Sequence, residues 1–462
     1  MKNRILYNYF FILFSIIPIS IIIGPAVSSI NIIIISLSFL IYVFYLKDWK
    51  WLKDKNIKLL LILYLYLIFN SFISIDFNIG VNRNFGFIIY IIFFAAFNYF
   101  FSKEEKFNRI FIVWFAVIAI VVLDVYLEVF TGKSITGYYS NSLHVYNRIY
   151  SVFIDEAKVG GFISCFFLIL TGYFLNIYQF KSNKAKYLIA IISIIFLLSI
   201  LLTGERSSAI KAFTAFLIFF TLSKSISIKE KITSLIFVIL IFGTVYSNTN
   251  FIKYRYGQLI FEKLDSFGHI INVIKKTDFK ASHVENLNHF THKEDKEFWY
   301  AIGANYFHMY ISGVKVFFNY PIFGAGNKNY RVVTCTSHLA PEGKGIYYQT
   351  YKKSKYSKIP ELFNTNYTCN THPHQIYIEF LAEHGIVGTL ILLFVFFKIL
   401  YQAFKKINLN KNNLQLGAFT YVVLTFAPLL PSGAFFNNYV ATLFWINLSI
   451  MAITSKNNDI YK

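Results

Sequence analysis

Charged side chains are scarce in this chain of 462 residues, where Asp, Glu, Lys and Arg together make up 15% of the sequence. Soluble globular domains carry about a quarter of charged residues, so the composition excludes that class. Hydrophobic residues account for 56% and aromatic residues for 20%. Apolar runs recur along the whole length, each near the roughly 20 residues that cross a bilayer. The composition therefore predicts an all-α, polytopic helical membrane protein.

Acidic residues are few as well, 23 against 44 Lys and Arg, which leaves a formal net charge of +21. On a soluble protein such an excess suggests a nucleic-acid partner. Here the basic residues lie mostly in short loops between apolar runs, where they set membrane topology. We therefore expect membrane lipid, and no nucleic acid, as a partner.

Cysteine is rare, with three residues in the chain. Cys165 lies in an apolar run, whereas Cys335 and Cys369 lie in one polar region. In an oxidising compartment the latter two can pair, and two free thiols are the alternative. No small-residue cleavage site follows the first apolar run, so we expect that run to be a span and not a cleaved signal.

About twelve apolar runs are candidates for spans. With the amino terminus in the cytoplasm, the cytoplasmic loops carry roughly 21 Lys and Arg and the short outer loops roughly 5, an asymmetry that places both termini in the cytoplasm. The predicted spans lie near residues 5–23, 30–46, 59–75, 86–101, 110–130, 160–180, 187–203, 209–222, 232–247, 385–404, 416–430 and 438–454.

One connection, residues 248–372, is far longer than the others and contains no convincing span. Loops of that length are usually functional. Within it, residues 298–320 read as an amphipathic helix that stops at Pro321. The expected organisation is a nine-span region over residues 1–247, a large outer loop with a histidine motif over 248–384, and three spans with a cytoplasmic tail over 385–462.

A dense polar segment just before the tenth span is the strongest candidate site, because ionisable groups at a span's end usually serve a function. Thr371 and Pro373 suit the cap and first position of a helix. A neutral imidazole near pH 7 accepts a proton from a hydroxyl group; a histidine pair satisfied by solvent is the alternative. The candidate residues are His372, His374, Gln375, Glu379, Glu383, Gly385 and Gly388.

Arginines on the predicted outer side form a second group of candidates. Arg206 lies in a very short turn, Thr203 to Ser208, between two spans. A guanidinium is always charged and its planar fork matches phosphate oxygens; an arginine that extends to lipid headgroups is the alternative. The further candidates are Arg148, Arg255 and Arg331.

Two acidic groups have simpler explanations. Asp155 and Glu156 precede the sixth span, where acidic residues stabilise the N-terminal end of a helix. A second group, in the large loop, matches no zinc-binding spacing, so we expect a solvated loop and no metal. That group comprises His283, His289, His292, Glu285, Glu294 and Asp295.

The motifs together resemble the O-antigen ligase and O-antigen polymerase family. His374-Gln375, nine residues, then Gly385-Ile-Val-Gly388 is similar to its ligase motif. Thr203-Gly-Glu-Arg206 is similar to its Thr-Gly-Ser-Arg turn, with Glu205 in place of Ser. Residues 148–161 are similar to its Arg…Phe-x-Asp-Glu…Gly segment, and residues 321–326 to its Pro-x-x-Gly-x-Gly turn.

The resemblance implies a GT-C-like fold and metal-independent, cofactor-free, inverting glycosyl transfer from an undecaprenyl-diphosphate-linked glycan. The site would face the periplasm, in a bacterial inner membrane. The acceptor would be lipid A–core for a ligase or a second lipid-linked repeat unit for a polymerase, and the motifs do not separate these. His374 would be the general base and Arg206, with Arg148, Arg255 and Arg331, would bind the diphosphate.

Two other classes of protein remain as alternatives. A flippase or transporter of lipid-linked sugars would place polar residues at mid-membrane, where Asp124 and Glu128 are the main candidates. These two acids lie four residues apart near the outer end of the fifth span, so a position at the border of the cleft is the alternative. The chain has no internal repeat, which argues against many transporter folds. A scaffold for envelope assembly would tolerate substitution of His374 and Arg206.

Overall fold

A computed structural model describes residues 2–103, 105–137, 148–153, 156–178, 183–258, 304–336, 369–410, 412–428 and 430–453. Within these ranges the regular elements are helices and there is no strand, as the composition predicts. The α-helices are α1 Lys2–Ser15, α2 Ile17–Ile23, α3 Pro25–Tyr45, α4 Lys55–Phe72, α5 Phe77–Lys103, α6 Ile110–Thr131, α7 Val159–Tyr178, α8 Asn183–Leu202, α9 Arg206–Leu222, α10 Ile228–Asn248, α11 Asn250–Ile252, α12 Ala304–Asn319, α13 Tyr330–Thr336, α14 Ile376–Asn410, α15 Asn413–Thr425 and α16 Asn438–Met451.

Each predicted span coincides with one helix or one bent pair of helices. Seven helices are long and apolar enough to cross a membrane, namely α3, α4, α5, α6, α7, α8 and α14. The pairs α1–α2, bent by 43°, and α10 with residues 250–257, bent by 101°, raise that number to nine in the described chain. The polytopic helical membrane class is therefore confirmed.

Three of the helices at predicted spans are short. They have 17 residues in α9, 13 in α15 and 14 in α16. At 1.5 Å per residue they span about 20–25 Å, less than the roughly 30 Å of hydrocarbon. The chain leaves α15 after Thr425 in irregular backbone, although the apolar run continues there. Such backbone is tolerated at membrane depth where protein surrounds it, and the crossings at these three helices stay a prediction.

Aromatic side chains fill much of the interior. The rings of Phe97 and Phe101 stack at 3.9 Å, and those of Phe10 and Phe100 lie 4.1 Å apart. Large apolar side chains such as Phe130 and Leu65 are instead exposed on the outer faces of their helices. Apolar residues on both faces are expected of helices that pack on protein on one side and on lipid on the other.

The helix α14 is broken at Gly385, where φ is 60° and ψ is −167°. A turn after α12 docks into this break. The amides of Ala325 and Gly326 donate to the carbonyl oxygens of Ala382 and Glu383, both at 2.9 Å. In return, the amide of Ile386 donates to the Pro321 carbonyl at 2.8 Å. The turn predicted after Pro321 therefore satisfies the backbone groups that the break leaves open.

Buried asparagines fix the segment that follows this turn. Asn327 and Asn329 are fully buried. The Asn327 amide nitrogen of the backbone donates to the side chain of Asn70 at 2.9 Å, and its own side chain donates to Asn84. Asn329 accepts from the backbone amide of Asp76 at 2.8 Å. Together these bonds anchor residues 326–330 to α4 and α5.

The large loop is described only in part. Helix α12 lies inside the predicted amphipathic segment 298–320. Cys335 and Cys369 are joined by a disulfide, with Cα atoms 4.5 Å apart. The group from His283 to Asp295 lies outside the described residues.

Candidate active site

A cavity of about 450 Å³ brings together three of the predicted residues, Arg148, Arg206 and His374. They come from the segment before α7, the start of α9 and the segment before α14. We call this cavity the first cavity. Its other polar lining residues include Glu205, Ser208, Lys211, Ser432 and Tyr439.

The turn that carries Arg206 is bonded to the segment that carries Arg148. The backbone amide of Ile149 donates to the carbonyl oxygen of Thr203 at 3.1 Å. This bond joins the residue after Arg148 to the residue three positions before Arg206, so it fixes two segments that are far apart in sequence. The two guanidinium groups therefore reach the same cavity from adjacent backbone.

Arg255 lies behind the turn and does not line the cavity. Its Nε and one terminal nitrogen donate to the carbonyl oxygen of Gly204 at 3.2 and 2.7 Å. The positive charges of Arg206 and Arg148 lie close enough to Arg255 to interact with it. The guanidinium stays charged at neutral pH, and its geometry is that of a group that positions the Arg206 turn.

Glu205, which replaces the Ser of the family turn, caps the start of α7. Its carboxylate oxygens accept from the amides of Gly160 and Gly161 at 2.7 and 3.2 Å, and from the Ser208 hydroxyl at 2.9 Å. Burial raises the pKa of Glu205, and the hydrogen bonds and the charge of Arg148 oppose that shift. The acid at this helix end is therefore Glu205, a partner that local sequence did not identify.

The predicted acids do not take that position. Glu156 is 63% exposed and forms an ion pair with Lys158. Helix α7 starts at Val159, three residues after Glu156, and the amides of Gly160 and Gly161 donate to Glu205 instead. Asp155 lies outside the described residues.

Two acids of α6 hold the segment next to Arg148. Asp124 accepts from the hydroxyl of Ser151 at 2.6 Å, and Glu128 accepts from the backbone amide of the same residue at 2.6 Å. Neither carboxylate lines the first cavity. These are positioning residues, whose long-range partners could not be read from spacing along the chain.

His374 precedes the helix and does not belong to it. Its φ is +58°, in the left-handed region, and α14 begins at Ile376. Its carbonyl oxygen accepts from the backbone amide of Ser432 at 2.9 Å. Burial lowers the pKa of His374, and a backbone hydrogen bond with Ser432 opposes this. The imidazole is therefore neutral near pH 7.

The prediction of a helix capped by Thr371 is wrong. The side-chain oxygen of Gln375 accepts from the amide of Ile378 at 2.8 Å, so Gln375 takes the capping role. The Thr371 hydroxyl instead contacts Nδ1 of His372 at 3.0 Å. Because His374 lies outside the helix, it shares no helical face with Tyr377, Ile378 and Leu381.

His372 packs against His374, and the charge of Arg331 reaches His372. The His372 and His374 rings are 3.8 Å apart. Burial lowers the pKa of His372 to about 3, with contributions from the charges of His374, Arg331 and Arg83. Arg331, on α13, does not line the first cavity. Of the four predicted arginines, Arg148 and Arg206 therefore line the first cavity, whereas Arg255 and Arg331 do not.

The two predicted glutamates of α14 are buried supports. Glu379 accepts the backbone amide of Phe435 through both oxygens, at 3.1 and 3.0 Å. Glu383 accepts the amide of Tyr330 at 3.4 Å. These bonds tie the loop before α16, and the start of α13, to the histidine motif. Gly388 lies against the ring and hydroxyl of Tyr66, so α14 and α4 approach closely there.

The first cavity continues from its cationic mouth into an apolar groove. Along α9 it is lined by Arg206, Ile210, Ala212 and Ala215, a length of about 14 Å at 1.5 Å per residue. The facing walls come from α15 and α16, and include Leu424, Leu443 and Phe444. The arrangement suits a molecule with an anionic head and an apolar tail.

Within the described chain, no group of three or more His, Cys, Asp or Glu side chains is placed to hold a metal ion. The charges that reach the cavity are those of side chains and helix ends. The N-terminal ends of α7, α9 and α16 meet there, each with partial positive charge.

Residues 191–393 match the family model described as O-antigen ligase. Over these 203 of its 462 residues, the chain is similar to the O-antigen ligase family. A search of curated proteins gave no match. The matched range contains Arg206, Arg255, Arg331 and His374, whereas Arg148 lies before it.

The match to this family model, together with the helices, supports a multi-pass bacterial membrane protein of glycosyl-transfer type. It supports O-antigen ligase-type or polymerase-type function, with lipid-linked glycan substrates in a membrane.

Proposed function

We propose that the protein is an O-antigen ligase that moves a glycan from undecaprenyl diphosphate to lipid A–core, at the periplasmic face of the inner membrane. The observation that carries the proposal is that Arg206, Arg148 and His374 line one cavity with an apolar extension. No nucleotide sugar, metal or other cofactor takes part in the proposed reaction.

The placement at one membrane face rests on helix direction. The first cavity takes its polar residues from the starts of α7, α9 and α16 and from the segment before α14. These are the sixth, eighth, twelfth and tenth predicted spans, whose starts the charge asymmetry assigns to the outer side. Both termini are then cytoplasmic.

The diphosphate is proposed to bind at the mouth of the cavity, with the polyprenyl chain along α9. Negative charge grows on the diphosphate as it leaves the sugar. Arg206 and Arg148, held by backbone bonds before the substrate arrives, are suited to stabilise that charge without reorganisation. Arg255 holds the turn through Gly204 and adds to the positive field.

His374 is proposed as the general base. It accepts the proton of the acceptor hydroxyl as the oxygen attacks the anomeric carbon, and the bond from that carbon to the diphosphate oxygen breaks. Attack opposite the leaving group inverts the configuration. Its neutral state near pH 7, caused by burial, supports this role.

The arginine assignment is tested by two substitutions of Arg206. Arg206→Ala should lower transfer about 100- to 1,000-fold, the effect of losing one preorganised donor. Arg206→Lys should recover little, because an ammonium group cannot bridge two phosphate oxygens. Arg109→Ala, which removes an exposed arginine before α6, is the matched control and should keep full transfer. Wild-type transfer by Arg206→Ala with normal insertion would rule out the assignment.

An O-antigen polymerase is the second candidate, since the family match supports both reactions. Deletion of the gene separates them on a lipopolysaccharide gel. A ligase mutant loses all long glycan and accumulates lipid-linked polymer, whereas a polymerase mutant leaves core capped by a single repeat unit.

A flippase is the alternative from another class. It requires polar groups along a path through the membrane, yet Asp124 and Glu128 are occupied by the segment that carries Arg148. Purified protein in vesicles distinguishes the two: translocation of lipid-linked sugar without transfer would contradict the enzyme proposal.

A further inference from the structure

A second cavity, of about 900 Å³, adjoins the first. Its volume lies within the roughly 300–1,000 Å³ typical of ligand sites. The shared wall includes Arg148, Gly161, Glu205, Ser208, Gly433, Phe435 and Tyr439. His374 lines the first cavity and His372 lines the second, with rings 3.8 Å apart. The two cavities therefore meet at the candidate base.

Besides Lys158, which pairs with Glu156, two further cations that were not candidates from the sequence lie on the wall of the second cavity. They are Arg83, on α5, and Lys328, in the turn before α13. Lys328 has a φ of +65°, an uncommon conformation for a residue with a side chain. Its neighbours Asn327 and Asn329 are fully buried and bonded to α4 and α5, which holds the lysine in place.

The charges of this wall are not balanced by acids at its surface. Glu379 and Glu383 attract Arg83 but do not line the cavity, and they accept backbone amides of Phe435 and Tyr330. Of the two acids that do line it, Glu156 pairs with Lys158 and Glu205 caps α7. Burial lowers the pKa of Lys328; the charges of Arg83 and then Arg331 add to that effect and Glu383 opposes it, so Arg83 and Lys328 are close enough to repel. A bound anion would relieve this repulsion.

An apolar stripe leads away from these cations. On α3 the lining residues are Pro25, Ser29, Ile32 and Ile33, which share one helix face over about 12 Å. On α5, the lining residues Phe87, Ile89 and Tyr90 lie one to two turns from Arg83 towards the C-terminal end of the helix. The second cavity thus has the same pattern as the first, a cationic end followed by an apolar groove.

We propose that the second cavity binds the acceptor as a phosphate-bearing lipid, with its phosphate at Arg83 and Lys328 and its chain along α3 and α5. This rests on the proposed function, which places the donor diphosphate in the first cavity. The acceptor hydroxyl then reaches His374 from the His372 side. Both lipids enter from the membrane, and the reaction transfers the glycan from the donor lipid to the acceptor lipid while undecaprenyl diphosphate leaves.

The direct test counts bound lipids. Full-length protein in detergent is given undecaprenyl diphosphate alone, undecaprenyl diphosphate with lipid A–core, or phosphatidylglycerol alone, and native mass spectrometry measures the lipids retained. Wild-type protein should retain two phosphate lipids in one of the first two conditions. Arg83→Ala with Lys328→Ala should retain one, and the single variant Lys328→Ala, at a half-buried turn residue, should weaken the second lipid by about ten- to a hundredfold.

The matched control removes an exposed arginine and an exposed lysine elsewhere. The double variant Arg109→Ala with Lys58→Ala should retain two lipids, because neither side chain lines the first or the second cavity. A second undecaprenyl diphosphate identifies the acceptor of a polymerase, and lipid A–core that of a ligase. Equal retention by the Arg83 and Lys328 variants and wild type, or equal occupation by phosphatidylglycerol, overturns the proposal.

Kinetics provide a readout that a purely structural role would not give. In a two-substrate assay, Lys328→Ala should raise the KM for the acceptor about tenfold or more and leave the KM for the donor nearly unchanged. Equal increases for both substrates contradict an acceptor site. Lipid counting measures binding without turnover. Its result therefore remains valid even if full transfer by the Arg206→Ala and His374→Ala variants refutes the proposed reaction.

Discussion

The carboxylate of Glu205 accepts a hydrogen bond from the backbone amide of Gly160 at 2.7 Å, across 45 residues of sequence. This bond joins the start of α7 to the turn that carries Arg206. A helix start leaves amide groups without partners inside the helix, and a carboxylate placed there both bonds to them and complements the helix dipole. One residue therefore stabilises α7 and fixes the position of the proposed diphosphate site.

Substitution of this carboxylate should affect both properties. We expect Glu205→Ala to lower the free energy of unfolding by about 0.5–2 kcal/mol, the usual cost of losing a helix cap. It should also lower transfer, because the turn next to Arg206 loses its anchor on α7. Thermal unfolding in detergent and a transfer assay on the same preparation measure the two effects.

The control uses a cap far from the site. Glu230 forms a capping box with Ser227 at the start of α10. Glu230→Ala should lower stability by a similar amount and leave transfer unchanged. Equal loss of transfer in both variants would show that Glu205 acts only through general stability.

The proposed base predicts a pH dependence with a definite direction. Because burial lowers the pKa of His374, its imidazole stays neutral as the pH falls through the ordinary histidine value of about 6.5. The acidic limb of kcat/KM should therefore have its midpoint below that value. Measurement of kcat/KM between about pH 4.5 and 8 checks this. An acidic midpoint at or above 6.5, or the same limb in the His374→Ala variant, would contradict the assignment.

Much of the fold followed from local properties of the sequence. Apolar length predicted the helices, and charge in loops predicted a common side for residues that do line one cavity, such as Arg148, Arg206 and His374. These signals are local or additive along the chain. The start of α14 was misplaced by a few residues because Pro373 and Thr371 satisfy the rules for a helix start as well as Gln375 does.

The remaining features depend on contacts between distant segments. The hydrogen bonds from the Gly160 amide to Glu205 and from the Ser151 hydroxyl to Asp124 form only in the tertiary arrangement of α6, α7 and α9. Arg83 is a single charge near the start of an apolar helix, and only the fold brings Lys328 to the same wall. A charge just before the span predicted near residues 86–101 was the one available signal for Arg83.

The disulfide between Cys335 and Cys369 gives a prediction for the histidine motif. It joins α13 to the residues just before His372. We expect Cys335→Ser to lower the free energy of unfolding by about 2–4 kcal/mol, as for the loss of a loop-closing disulfide. Transfer should fall as well, because the segment leading to His374 loses a covalent anchor. Reducing agent should reproduce both effects on the wild type.

Cys165 supplies the comparison for this test. It is a buried free thiol on α7, remote in sequence from the histidine motif. Cys165→Ser should respond to reducing agent as the wild type does, whereas Cys335→Ser should show no further response. A wild-type protein that keeps full stability and transfer under reduction would refute the role of the disulfide.

The break in α14 gives the sharpest structural prediction. At Gly385, φ is +60°, and an added Cβ would collide with the backbone of Ile322 and Gly324. Backbone atoms cannot move aside as a flexible side chain does, and an L-residue is also strained at that angle. We therefore expect Gly385→Ala to displace the turn after Pro321 and to lower the free energy of unfolding by about 2–3 kcal/mol.

A glycine in α10 isolates this effect from the general properties of alanine. Nothing lies within 4 Å of a Cβ added at Gly243. Gly243→Ala should be neutral or stabilising by up to about 1 kcal/mol, since alanine favours a helix over glycine. The contrast between the two variants in thermal unfolding measures the cost of closing the break. If Gly385→Ala is as stable and as active as Gly243→Ala, the docked turn is not required to hold Glu383 and the histidine motif together.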